Sequence, residues 1–409
     1  MPASLEQRSS RPIVVVALAT ALCLTGDSML YIALPIYWHE VGLEALWQVG
    51  VLLSVNRLIR LPFNPLIGWL YQRISLRAGL LLATTLGTLT TLGYGIAKGF
   101  IAWLLLRALW GIGWSFFRIG GLSAVVYCAA GQSRGQAMGL YNGLYRLGSL
   151  VGMLLGGLLV PVYGLPALAL SFAAMALLGL PLLLRHFHAA GGGLDERQLP
   201  AVPAADTPRR SARLNGKYRV IVSGFCTAML IQGVLAATLS ALIERFYGNR
   251  LDLFGLLLSA TALSGILQAL RWSWEPWLGR RFGAWSDGPR GRSRLYGGTL
   301  LVAALSFGLM ASGLPLLPWL AVTLLVMLLA TALTTLTDAL ASDAASTGNV
   351  VAFMTRYSIA QDLGAALGPL LAYLLIGLAD GFAWLYWGGS AIYLLLALAW
   401  LRRRGRAGD

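Results

Sequence analysis

Twelve stretches of mostly apolar residues, each close to or above the roughly 20 residues a bilayer-crossing helix requires, run along this chain. They fall at 12–38, 46–71, 78–97, 100–128, 136–160 and 164–184 in the first half. The second half has 218–243, 253–279, 295–313, 316–340, 355–377 and 381–401. In hydrocarbon a segment must satisfy its own backbone groups, so each stretch reads as a helix. Composition agrees. Charged residues make up 11% of the chain and apolar residues 57%, with a mean hydropathy of +0.71, against about 25% charged in an average soluble domain. A water-soluble enzyme is excluded, and the expected fold is an all-α polytopic membrane protein. The first stretch is too long for a removable signal peptide, lacks a small-residue cleavage site and holds Asp27, so it reads as a span.

A net charge of +15 in a soluble chain would suggest nucleic acid. Position decides otherwise. Of the 31 basic residues, 21 lie in the termini and in alternate loops, among them Arg8, Arg11, Arg73, Arg77 and Arg134. The opposite loops hold only Lys98, Arg245 and Arg250. Basic residues collect on the cytoplasmic side, which places both termini in the cytoplasm of a multi-pass protein of the cell (inner) membrane, with no nucleic-acid partner. Cys23, Cys128 and Cys226 all lie in apolar stretches, which gives neither a disulfide framework nor a metal spacing. Residues 185–216 combine three consecutive glycines, three prolines and scattered charges and read as a cytoplasmic linker. The expected organisation is a six-helix unit over 1–184, the linker, and a second six-helix unit over 217–409.

The two halves echo each other. Arg60-Leu-Pro-Phe-Asn64-Pro65-Leu-Ile-Gly68 in span 2 matches Arg271-Trp-Ser-Trp-Glu275-Pro276-Trp-Leu-Gly279 in span 8, at an offset of 211. Tyr141 and Arg146-Leu-Gly148-x-x-x-Gly152 in span 5 match Tyr357 and Asp362-Leu-Gly364-x-x-x-Gly368 in span 11, at an offset of 216. Two matches at nearly one offset, in corresponding spans, indicate duplication, a recurring transporter plan.

With these features the chain resembles a major facilitator superfamily transporter over essentially its whole length. Three motifs carry the resemblance. The loop after span 2 follows the family's G-x-L-x-D-R-x-G-R-[RK] with Gly68, Leu70, Arg73 and Arg77, but has Gln72 for the acid and Ser75 for the second glycine. Its counterpart after span 8 keeps Gly283, Asp287, Gly291 and Arg292, so the conformational relay is expected to rest more on Asp287. Span 4 carries R-x-x-x-G-x-G as Arg107, Gly111 and Gly113, whose arginine the family associates with proton coupling. Span 5 follows the proton-antiport exporters' G-x8-G-x3-G-P-x2-G-G with Gly139, Gly148, Gly152, Gly156 and Gly157, with Met153 in place of the proline. Small residues at that spacing also let helices pack closely. The resemblance implies twelve helices in two pseudo-symmetric six-helix bundles around a central cavity. It also implies alternating access, and efflux in preference to uptake.

Charges inside spans are costly, by about 2.5–3.5 kcal/mol each on insertion scales, so those present are candidates for function, with a static ion pair or helix cap as the alternative. Asp27 lies roughly 21 Å above the cytoplasmic edge and Arg107 roughly 20 Å at 1.5 Å per residue. The resembled fold lines its cavity with spans 1 and 4, which makes Asp27 and Arg107 the proton-coupling candidates. It also sets span 2 opposite span 11 and span 5 opposite span 8. Arg60 with Asp362, and Arg146 with Glu275 or Arg271, are therefore the candidate cytoplasmic gate. Arg118, Arg356 and Asp338 lie near span ends, where charged side chains snorkel to the interface. The surplus of arginine within spans suits an anionic or zwitterionic substrate. Tyr31, Asn56, Arg57, Asn64, Trp110, Trp114 and Gln232 are the candidates to bind it, with Phe116 and Phe117 as possible stacking surfaces. No phosphate-cradling loop precedes either lysine and no hydrolase motif occurs, so neither an ATP-driven pump nor an enzyme is expected. No metal and no cofactor are expected; the proton gradient supplies the driving force. The expected protein is a monomeric proton-coupled exporter of a metabolite, metal chelator or drug. A lipid or lysolipid flippase on the same fold, an uptake symporter and a non-transporting sensor are the alternatives.

Overall fold

The computed structural model describes residues 3–128, 134–187, 210–253, 255–286, 292–345 and 350–402. Asp287, Gly291 and residues 188–209 of the expected linker lie outside them. The helices of the first half are α1 (Ala3–Tyr37), α2 (Leu46–Leu58), α3 (Arg60–Tyr71), α4 (Leu76–Ile96), α5 (Phe100–Cys128), α6 (Arg134–Tyr163), α7 (Leu165–Leu177) and α8 (Gly179–His186). Then come α9 (Arg210–Thr227), a π-helical stretch (Ala228–Leu235), α10 (Ala236–Tyr247) and the strands β1 (Arg250–Leu253) and β2 (Leu256–Ser259). The chain continues with α11 (Ala260–Ser286), α12 (Arg292–Leu309), α13 (Leu316–Ala345), α14 (Val350–Ile376) and α15 (Gly381–Leu401).

Among the described residues nine helices are long and apolar enough to cross a membrane. The expected span 2 is divided between α2 and α3, α11 carries Arg271, Glu275, Arg280 and Arg281, and α12 opens on Arg292 and Arg294. Proline explains two of the breaks. Pro62 has no N–H to give the Leu58 carbonyl, and α2 ends at Leu58; Pro181 likewise leaves Leu177 unanswered, where α7 ends. One expectation is corrected. Span 8 does not start at 253 but at Ala260, because residues 250–259 form an antiparallel hairpin. Gly255, at φ 82°, takes a left-handed turn that other side chains resist, and Asp252 accepts its N–H at 2.8 Å. The pairing sets Leu251, Leu253, Leu256 and Leu258 on one face.

The described chain divides into two compact units, one within Met1–Pro200 and Asn249–Trp272, the other within Ala201–Gly248 and Ser273–Asp409. In the first, α1 packs along α6, α4 lies against α5 and α7, and α2 and α3 pack on α5. In the second, α14 packs on α9 and the π stretch, and α12 lies between α13 and α15. Large apolar side chains such as Ile101, Leu105, Val162 and Leu395 point outward, as a surface solvated by lipid allows.

The span 5 glycines set the closest of these contacts. A Cβ on Gly148 would lie 2.1 Å from the Ala21 carbonyl oxygen, and one on Gly152 2.3 Å from that of Thr25. Gly156 meets Met29, and Gly157 faces Thr261 and Gly265 of α11. The second unit repeats the device: Gly364 abuts the Phe225 carbonyl and Gly368 abuts Gly233. These are backbone-to-backbone approaches that only glycine permits. Gly152→Val is therefore expected to destabilise the purified protein by about 1–3 kcal/mol in thermal unfolding. Gly68→Ala, with nothing within 4 Å of its Cβ, is expected to be neutral or slightly stabilising.

Candidate functional site

The first unit holds an ion pair in its interior. The Arg107 guanidinium on α5 donates through Nη1 to Asp27 Oδ1 on α1, and through Nε to the Leu52 carbonyl on α2 at 2.9 Å. Arg107 is fully buried and Asp27 is 8% exposed. Two glycines bring the three helices and α4 close enough for this. A Cβ on Gly26 would lie 2.4 Å from the Thr91 side chain of α4, and one on Gly111 2.4 Å from the Asn56 carbonyl of α2. Tyr31 presents its ring 6.0 Å from the guanidinium, and Tyr94 from α4 lies within reach of the same charge. Tyr94 is itself fixed by stacking on Trp103 at 5.0 Å, and the Trp103 indole donates to the Ala97 carbonyl at 3.0 Å. A permanent cation in this setting cannot shed its charge. Removing its partner would leave it stranded, which typically costs 3–5 kcal/mol.

One turn along α2, Asn56 is fully buried, and neither its Oδ1 nor its Nδ2 has a hydrogen-bond partner among the described residues. Trp110 is also buried, against Gly87 and close to Trp114. Phe116 and Phe117 belong to the packed core. Arg57, Asn64 and Trp114 are half-buried. Arg60 is 7% exposed and lies over the Trp114 ring at 5.4 Å, while Arg146 lies over Trp272 at 5.6 Å. Arg271 is buried on α11. In the loop after span 2, Arg73 stacks on Trp69 at 4.0 Å. Arg77 donates to the Leu184 carbonyl, capping α8, and Ser75 caps α4 by accepting the Ala78 N–H. Ser75, which stands where the resembled family has glycine, thus has a local structural use.

The second unit places Gln232 in its π-helical stretch, next to the Gly233–Gly368 contact. Asp338 accepts from the Tyr357 hydroxyl at 2.7 Å and from Gln361 at 3.2 Å. Arg292 pairs with Asp343 and donates to Ser286. Asp362 is buried and Glu275 half-buried. A further repeat match becomes visible here. Trp319 is buried like Trp103, at an offset of 216, and donates to a backbone carbonyl, that of Met310, at 2.9 Å. The same offset puts Thr323 at the place of Arg107, buried and with its hydroxyl unpartnered among the described residues. The duplicated scaffold therefore carries its buried arginine in one copy and a neutral hydroxyl in the other. The shared tryptophan signalled this in the sequence. The Leu52 carbonyl and Tyr94 had no such signal, since each acts through a helix contact.

Comparison with known proteins follows the same line. The family model described as Major Facilitator Superfamily matches residues 16–286. The chromaffin granule amine transporter of Rattus norvegicus is 32% identical over 132 residues, 31% of this chain and 25% of that protein. The uncharacterized MFS-type transporter YcaD of Salmonella newport (strain SL254) is 25% identical over 146 residues, 36% of this chain and 38% of that protein. The matched regions thus span about a quarter to two fifths of these relatives' length. Among solved structures, a bacterial homolog to the human lysosomal transporter Spinster superposes with a TM-score of 0.71 at 15% identity, covering 96% of each chain. A POT family transporter in complex with 5-aminolevulinic acid superposes with a TM-score of 0.74 at 13% identity, over 96% of this chain and 95% of the other.

The buried pair is open to a direct stability test. Asp27→Leu is expected to lower thermal stability by about 3–5 kcal/mol, and adding Arg107→Met should restore most of it. Thermal unfolding of the single and double variants measures both.

Proposed function

Because this chain belongs to the Major Facilitator Superfamily and has its fold, we propose that it is a secondary transporter. In this reading it moves a small anionic or zwitterionic molecule by alternating access, coupled to protons and in the direction of efflux. The observation that carries the coupling is the Asp27–Arg107 pair, two full charges inside an apolar helical unit. A carboxylate held by a permanent cation gives up that bond when it takes a proton, and the helices it links are then free to rearrange. With Asp27 on α1 and Arg107 on α5, and the guanidinium also on α2, one proton alters the contact among three helices.

The substrate class follows from charge. Apart from Arg219 at the edge of span 7, seven basic and four acidic side chains fall within the spans, and guanidinium groups grip carboxylates and phosphates. Arg57, Arg60, Arg146 and Arg271 supply that surplus, with Asn64, Trp114 and Gln232 to orient the molecule. The structural neighbour that holds 5-aminolevulinic acid is consistent with a zwitterion in such a fold. Arg60 with Asp362, and Arg146 with Glu275, are the proposed cytoplasmic gate pairs. Asp287, together with the Arg292–Asp343 pair, is proposed to take up the relay that Gln72 leaves open. The protein acts as a monomer in the cell membrane with its termini in the cytoplasm, and its partners are the substrate, protons and lipid.

Everted membrane vesicles test direction, coupling and charge together. With an acidic lumen, labelled carboxylate-bearing zwitterions are expected to accumulate, and collapsing the gradient should abolish accumulation. Uptake into right-side-out vesicles with an imposed inward gradient, or accumulation of simple amines alone, would contradict the reading. For the gate, Arg146→Glu and Glu275→Arg are each expected to reduce transport more than fivefold, and the double exchange to recover at least half.

A further inference from the structure

Asn56 stands out in the first unit because it is fully buried while both polar atoms of its amide lack partners among the described residues. Leaving a buried donor or acceptor unmet is costly, and an apolar residue of the same size would pack there without that cost. A side chain of this kind points to a second arrangement in which it is satisfied. Its neighbour shows which one. In an α-helix the Leu52 carbonyl accepts the N–H of residue 56, and it is this carbonyl that Arg107 Nε also holds at 2.9 Å. The guanidinium therefore sits beside the backbone of Asn56, on a helix whose side chains lean back toward the Leu52 turn. Among the described residues Arg107 Nη2 has no hydrogen-bond partner either.

We propose that Asn56 is the positioning residue that takes up Arg107 when Asp27 is protonated. The inference rests on the proton-coupling reading above. A proton from water adds to the Asp27 carboxylate, and the Nη1–Asp27 bond breaks. The guanidinium, still charged and still tied to Leu52 through Nε, then donates an Nη–H to Asn56 Oδ1. This provides a neutral acceptor for a cation that would otherwise be stranded in the protein interior, and so makes protonation of Asp27 affordable. The other groups facing the pair do not replace it. Tyr31 and Cys23 lie on the same helix, and Tyr94 faces the charge from α4. Arg57 and Arg60 lie further along α2 and α3, and neither α6 between Leu147 and Val162 nor α7 bears any titratable group. Tyr94 is a rival acceptor.

The test needs no substrate. In the full-length protein in lipid nanodiscs, the infrared band of the protonated Asp27 carboxyl, identified by its loss in Asp27→Asn, is titrated between pH 5 and pH 9. Asn56→Leu removes the acceptor and is expected to move the midpoint down by about one pH unit, the worth of a hydrogen bond to a charged group. Asn56→Asp offers Arg107 a rival anion and is expected to move it up, whereas Tyr94→Phe should leave it in place. Opposite shifts for Leu and Asp are not what a packing role would give. Midpoints unmoved in both Asn56 variants, or a downward shift in Tyr94→Phe instead, would overturn the inference while leaving proton coupling intact. A band that never appears would overturn coupling at Asp27 itself. If Asn56→Leu does not fold, wild-type structures above and below the midpoint decide: Arg107 on Asn56 Oδ1 at low pH supports the inference, and Arg107 unmoved or on Tyr94 overturns it.

Discussion

The contact on which the first unit depends is the bond between Asp27 and Arg107. It is the one place described where two opposite charges face each other deep inside that unit, and the surroundings are shaped to allow it. Glycines at 26 and 111 bring α4 and α2 close, the Leu52 carbonyl holds the guanidinium from a second side, and Tyr31 and Tyr94 close off two more. A buried pair of this kind is a poor way to gain stability, since well-packed apolar side chains would often serve better. On the proposed mechanism its value lies in being breakable by one proton.

The glycines of α6 and α14 do structural work, each within its own unit. Each stripe presses one helix against its neighbour at backbone distance, in both units alike. The proposed charge switch would depend on close packing of this kind, because a loose bundle would absorb the loss of one bond without moving. The duplication is nevertheless uneven. Trp103 and Trp319 repeat in place and in hydrogen bonding, yet Arg107 is matched by Thr323. On the proposed mechanism, the proton-sensitive chemistry sits in one copy of the repeat, and the other supplies matched packing with neutral polar groups.

Much of this was legible in the sequence, for definite physical reasons. Apolar runs of bilayer length identify helices, and depth counted from span ends set Asp27 and Arg107 at one level before their contact was seen. What escaped was local geometry that composition does not encode. The leucines of 250–259 read as the beginning of a span, but alternate about Gly255 into a hairpin. The breaks after Leu58 and Leu177 depend on the carbonyl that a proline four residues later fails to meet. Trp110 and Asn56, candidates to bind substrate, are both buried in the first unit, a matter of helix rotation that an Ala/Leu/Gly-rich pattern leaves open.

Proteoliposomes offer the most direct measurement of whether Asp27 carries the proton. Once a zwitterionic substrate has been found, gradient-driven accumulation and gradient-free exchange of the labelled molecule are compared in wild type and Asp27→Asn. Loss of accumulation with exchange retained is the expected result, because the neutral amide mimics the protonated carboxyl and removes the titrating group. Accumulation at the wild-type level in Asp27→Asn would contradict the assignment.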